Sequence, residues 1–120
     1  MRNYKNIKAY QLADQLTIQI YELTKQFPKE EMYGLTSQLR RAVVSIATNI
    51  AEGSSRQHKK DYLQFLYIAR GSLAEVEYLS GMVCRLGFIK EITFQMIDPL
   101  CQEVAKTLFG LIQSVEKEVF

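Results

Sequence analysis

Apolar residues return along this chain at intervals of three and four, and never for long at two, which is the period of helices that bury one face. Ala13, Leu16, Ile20, Leu23 and Phe27 follow at 3, 4, 3 and 4 and predict a first helix, beginning at residues 6–8, running to Phe27 and stopped by Pro28. Leu39, Val43, Ile46 and Ile50, at 4, 3 and 4, predict a second. Thr36 is placed to cap its start through the hydroxyl, and Gly53 to end it in a left-handed conformation. Ser54 or Ser55 then caps a third and longest helix, whose stripe Tyr62, Leu66, Ala69, Leu73, Val76, Ser80 and Val83 is widened by Phe65, Leu79 and Leu86. Within it Gly71, Ala74 and Gly81 read as points of close helix contact, because each glycine costs about 1 kcal/mol of helix propensity relative to alanine. Gly87 reads as the glycine that closes the helix. The fourth helix opens at Thr93 or, more firmly, at Asp98-Pro99, an aspartate cap before a first-turn proline, with a kinked turn ahead of it through Phe94 to Ile97. From Leu100 its stripe continues through Val104, Leu108, Leu111, Val115 and Val119.

Four one-sided stripes joined by three short connections imply an all-α fold, an antiparallel up-down-up-down four-helix bundle forming a single domain over residues 1–120. A hydrophobic fraction of 48% with 23% charged residues is that of an ordinary globular chain and excludes disorder. No apolar run approaches the ~20 residues of a membrane span, and the start MRNYKNIKAY lacks the apolar region of a secretion signal, so no membrane contact is expected and the expected compartment is the cytoplasm. Cys84 and Cys101 fall on separate helices without metal-ligand spacing and read as buried thiols, so no disulfide, metal or cofactor is assigned.

Catalytic groups do not converge. His58 is the only histidine and sits in a basic loop, where it reads as solvated. No glutamate precedes a histidine at the Glu-x-x-His spacing of bundle metal sites, and Glu75 and Glu77, two apart, cannot share a helix face. With no phosphate-binding glycine loop and no Gly-x-Ser-x-Gly, no catalytic residue is assigned and the chain is expected not to be an enzyme.

Charge says more by its distribution than by its total of +2. Residues 1–35 carry +1, residues 36–60 carry +4 and residues 61–120 carry −3. Arg40, Arg56, Lys59 and Lys60 in the positive segment read either as a solvated face or as contacts to nucleic-acid phosphates. Arg41, Ser45, Asn49 and Glu52, spaced 4, 4 and 3, share one helix face. They read either as a network that fixes helix register, pairing with Arg70, Ser72 or Glu75, or as a polar groove at a subunit or ligand surface. Tyr21, Val44, Tyr67 and Phe109 lie off the stripes and are more apolar surface than a monomeric bundle needs, which points to self-association.

The runs YGLTSQLRRAVVSIATNIAEG and FLYIARGSLAEVEYL closely resemble the four-helix-bundle family encoded by intervening sequences in bacterial 23S ribosomal RNA genes. The resemblance extends from about Tyr10 into the last helix. One departure is Ala47, where the family usually has a proline, so the kink that proline would bring is weakened here. The resemblance implies the same bundle and no assigned activity. Relatives in the family, including accessory proteins of diversity-generating retroelements, look like ring-shaped homopentamers with a basic surface that engages RNA or a reverse transcriptase. The expected function is therefore a non-enzymatic oligomeric module, a pentamer by resemblance, that binds RNA or DNA or a reverse transcriptase through a basic surface. The alternative is a protein-protein scaffold without nucleic-acid affinity.

Overall fold

The computed structural model describes residues 2–118, and among them every regular element is helical. Four α-helices, α1 (Lys8–Thr24), α2 (Leu35–Ser54), α3 (Lys59–Arg85) and α4 (Glu91–Lys117), follow one another with 3-10 turns at Tyr4–Asn6 and Lys29–Glu31. One face of each helix enters a single core: Leu16 and Ile20 from α1, Val43 and Ile46 from α2, Leu66 and Leu73 from α3, Val104 and Leu108 from α4. Side-chain contacts pair Thr24 with Arg40, Ser45 with Ser72, Glu77 with Gln102, and Cys84 with Glu91. The end of α1 thus lies beside the first turns of α2 and the end of α3 beside the start of α4, as neighbours in an antiparallel bundle would be placed. The predicted α3 stripe is buried throughout, Ser80 included.

The helix ends depart from expectation, each for a tertiary reason. α1 stops at Thr24, not Phe27, and Thr24 takes the buried place assigned to Leu23 by donating its hydroxyl to the Ile20 carbonyl at 2.8 Å. Phe27 is buried from the turn instead, edge-on to Phe88 with ring centroids 5.5 Å apart. At the start of α2 the cap position belongs to Gly34, and Thr36 lies inside the first turn with its hydroxyl buried and without a hydrogen-bond partner among the described residues. Glu31 supplies the missing cap, its Oε1 accepting from the Leu35 N–H at 3.2 Å.

Gly53 is not a terminator but part of α2. Its glycine is required by space: a Cβ there would stand 2.8 Å from the Phe65 Cβ and 3.0 Å from Tyr62 Cδ1 on α3. Ser54 and Ser55 turn back to donate to the Ala51 and Glu52 carbonyls, both at 2.7 Å, so they close α2 and do not cap α3, which follows His58. Gly87 does what was expected. At φ 82° it lets the Phe88 N–H reach the Val83 carbonyl at 2.9 Å while its own N–H reaches Cys84 at 3.0 Å, closing α3 in a Schellman turn. Gly71 and Ala74, by contrast, are exposed, and a Cβ at Gly71 or Gly81 would meet nothing within 4 Å, so close packing inside this bundle is not their reason. Leu86 likewise stays 53% exposed and does not widen the stripe.

α4 begins at Glu91 and passes through Asp98-Pro99 without ending. Pro99 and Gln95 are both exposed, so the Gln95 carbonyl, which Pro99 cannot satisfy for want of an N–H, faces water. Ile97 is buried ahead of the proline, and that burial outweighs the local start signal. The buried stripe is Ile97, Cys101, Val104, Leu108, Ile112 and Val115, so Cys101 and Ile112 take the places expected of Leu100 and Leu111. Val119 lies outside the described residues.

Cys101 is 1% exposed, and burial, with the charges of Glu77 and Asp98 adding, pushes its thiol up to about 12. Because the thiolate is the nucleophile, native Cys101 is expected to resist iodoacetamide at pH 8 far longer than the same cysteine in denaturant. Mass spectrometry finding equal labelling rates would contradict that burial.

Candidate nucleic-acid interface

The four basic residues assigned to phosphate contact do not form one patch. Arg40 lies in the second turn of α2 and Arg56 just past its end, sixteen residues apart, or about 24 Å along a helix axis. Arg40 ties α2 to α1: its Nε donates to the Thr24 hydroxyl at 2.7 Å and its guanidinium stacks 4.7 Å over the Tyr21 ring. At the opposite end the Arg56 guanidinium stacks 4.6 Å over the Phe65 ring. Stacking uses the planar face and leaves the N–H edges of the guanidinium turned outward.

Lys59 is largely committed within the fold. Its Nζ donates to the carbonyls of Glu116 and Glu118 at 2.8 and 3.0 Å, satisfying acceptors that the end of α4 leaves without helical partners. Arg2, unmarked by any pattern in the sequence, does the same for α2. It donates to the Ser54 and Arg56 carbonyls at 3.2 Å each, lies 3.4 Å from the Glu118 carboxylate, and stacks 4.6 Å over Tyr62. Lys60 is exposed and makes no hydrogen bond or ion pair among the described residues. Of the loop-end cations, Arg56 and Lys60 are therefore the two with donors to offer outward.

The polar row on α2 divides. Asn49 Nδ2 donates to the Ser45 carbonyl and hydroxyl at 2.7 and 2.9 Å, and the Ser72 hydroxyl donates to Ser45 Oγ at 2.8 Å, a compact link between α2 and α3. Arg41 and Glu52 stay outside it, both exposed. Of the expected α3 partners only Ser72 joins, while Arg70 lies 5.1 Å over the Tyr67 ring and Glu75 lines a shallow cleft of about 290 Å³ with Arg41 without an ion pair. On its other side Arg41 lines a second shallow cavity, about 360 Å³, with Tyr21, Arg40, Val44 and Thr48. Sequence reasoning also passed over Tyr33, which stands 93% exposed just before α2; nothing but its place beside Gly34 marked it.

Among the described residues no group of three His, Cys, Asp or Glu side chains is placed to hold a metal ion, and no helix is long and apolar enough to cross a membrane. The model of the family described as 23S rRNA-intervening sequence protein matches residues 5–110, from the first 3-10 turn into the last turns of α4. The chain belongs to that family. Among solved structures, this family member is similar to a protein with unknown function from the S23 ribosomal protein family of Bacteroides thetaiotaomicron VPI-5482. The TM-score is 0.80 at 24% identity, over 87% of this chain and 97% of that one, a likeness that carries the fold alone. No curated protein matches the chain. The stretch matched to the family includes Arg40, Arg41, Arg56, Lys59 and Lys60.

Proposed function

We propose that this 23S rRNA-intervening sequence family member is a non-enzymatic, self-associating bundle module of the cytoplasm that binds nucleic acid, RNA above all, or an enzyme acting on nucleic acid. The observation that carries this reading is the loop end of the bundle, where Arg56 and Lys60 present unspent donors while Arg2 and Lys59 neutralise helix termini beside them. Lysine and arginine at such a surface bind phosphates without reading bases. Self-association rests on exposed apolar side chains, Tyr21, Val44 and Tyr67 at 38% and Phe109 at 57%, and on the ring of five that the family resemblance implies. Repetition around a ring multiplies a modest patch into a strong field. Light scattering that returned the 13.9 kDa monomer at tens of micromolar would remove the oligomeric part.

Replacing Arg56 and Lys60 together by Gln is expected to weaken RNA binding and to flatten the log–log salt dependence by about 1.4–1.8 per engaged subunit, at 0.7–0.9 per contact. Thermal melting should fall only slightly, by the loss of the Arg56 stack on Phe65 worth about 0.5–1 kcal/mol, because neither side chain belongs to the core. Lys59→Gln is the contrasting variant, since it uncaps α4 and is expected to cost about 0.3–1 kcal/mol of stability. Unaltered affinity and slope in the double variant would leave the protein-protein scaffold, which the exposed apolar side chains favour, as the function.

A further inference from the structure

We infer that each copy of this chain docks on the next head to tail, the Arg70 guanidinium of one entering a cleft between α1 and α2 of the other, where the Asp14 and Glu52 carboxylates receive it. The inference rests on the self-association part of the reading above and names the two surfaces that meet. The cleft, about 300 Å³, is lined by Tyr4 and Tyr10 and, on α2, by Ala47 and Ala51, whose small side chains leave it room. The two rings stand edge to face with centroids 4.8 Å apart. Neither carboxylate makes a hydrogen bond or ion pair among the described residues, and no lysine or arginine lines the cleft. Unpaired carboxylates beside aromatic rings suit a planar cation, because a guanidinium donates in a fork that matches carboxylate oxygens and stacks on rings.

The same face carries apolar surface. Val44 and Thr48 line both this cleft and the cavity that holds Tyr21, so Tyr21, Val44 and the carboxylates form one continuous surface. Arg70 lies on the opposite side of the bundle. α1 packs on α2 and α4, and α3 packs on α2 and α4, while the diagonal pairs have no close backbone approach among the described residues. The seam between α3 and α4 is therefore opposite the seam between α1 and α2. Along it Cys84 meets Glu91 and Glu77 meets Gln102, so these two helices run in opposite directions. Two turns back from Glu77 and two turns on from Gln102 stand Arg70 and Phe109, on the same faces and level with one another. Tyr67 joins them, its ring 5.1 Å from the Arg70 guanidinium. Arg70 is exposed and makes no hydrogen bond or ion pair among the described residues, and it stands beside two exposed rings, the company of an interface anchor. Arg41, equally unpaired, lines the Tyr21–Val44 cavity and so belongs to the receiving face itself. Across a two-fold axis a patch faces its own copy. Unlike patches on opposite sides join heterologously instead, each copy giving one arginine and receiving one.

The test weighs the full chain by light scattering over a range of concentrations, with circular dichroism to confirm that each variant keeps its helices. Arg70→Ala is expected to raise the dissociation constant by roughly 30-fold or more, the effect of leaving buried charges without their partner. Arg70→Glu, and separately Asp14→Lys with Glu52→Lys, are expected to take the assembly apart by placing like charges together. All three reversals in one chain recreate the attraction with its sign exchanged, and the parent mass is expected to return. If the parent assembles and Arg70→Ala assembles equally well, the docking is refuted while self-association survives. Separate reversals that come apart without the combined chain reassembling also overturn the pairing. A parent that stays at 13.9 kDa removes the self-association reading, and the docking with it.

Discussion

Leu73→Ala is expected to lower the unfolding free energy by about 2–5 kcal/mol. Leu73 is 2% exposed at the middle of α3, in the same buried stripe as Ala69 and Val76. Removing its isobutyl group forfeits the transfer of those carbons out of water and leaves a cavity that helices on both sides cannot readily close, since α3 is packed against α2 and against α4. Denaturant melts should show a lower midpoint with an unchanged slope, because the surface exposed on unfolding hardly differs. A loss below about 1 kcal/mol would mean that the bundle does not close around α3 at this level.

Gly53→Ala is expected to destabilise by about 1–3 kcal/mol, although alanine is the better helix former. The added methyl would stand 2.8 Å from the Phe65 Cβ and 3.3 Å from the Tyr62 carbonyl oxygen. Phe65 Cβ is fixed to the backbone of α3 and cannot swing away as the tip of a long side chain does, so α2 and α3 must separate locally. The same substitution at Gly71, where a Cβ meets nothing within 4 Å, is expected to stabilise by up to about 1 kcal/mol. Thermal melts of the two variants side by side check both signs at once, and a Gly53→Ala protein as stable as the parent would show that the helices are not in contact there.

Gly87 and Gly53 show where the local pattern was and was not enough. Gly87 was legible because its demand is local: a chain leaving a helix through a positive φ selects glycine whatever surrounds it. Gly53 was misread as the same signal because its demand comes from Phe65 and Tyr62, and nothing near position 53 along the chain announces them. Asp98-Pro99 failed in the opposite direction. A good local start signal was overridden by the burial of Ile97 ahead of it, with the proline turned to water where its missing hydrogen bond costs least.

The candidate site followed the same division. Charge clustering over residues 36–60 was visible in the sequence, but the commitment of each cation was not. Arg40 spends its Nε on Thr24, and Lys59 spends its ammonium on carbonyls 57 and 59 residues away, while Lys60 next to it spends nothing within the described fold. Ser45 and Asn49 were rightly placed on one face, yet only Ser72 of the three proposed α3 partners reached them.

What the sequence alone determined is the set of four helices and most of their buried stripes, including the whole of the α3 stripe from Tyr62 to Val83. That information is held in spacings of three and four residues, which a helix turns into one face regardless of its neighbours. Only the tertiary structure decided where the helices end, which glycines need their space, which arginines and lysines retain free donors, and that Tyr33 stands 93% exposed ahead of α2. Each of these depends on groups brought in from distant parts of the chain, and a one-dimensional pattern carries no record of which atoms will meet.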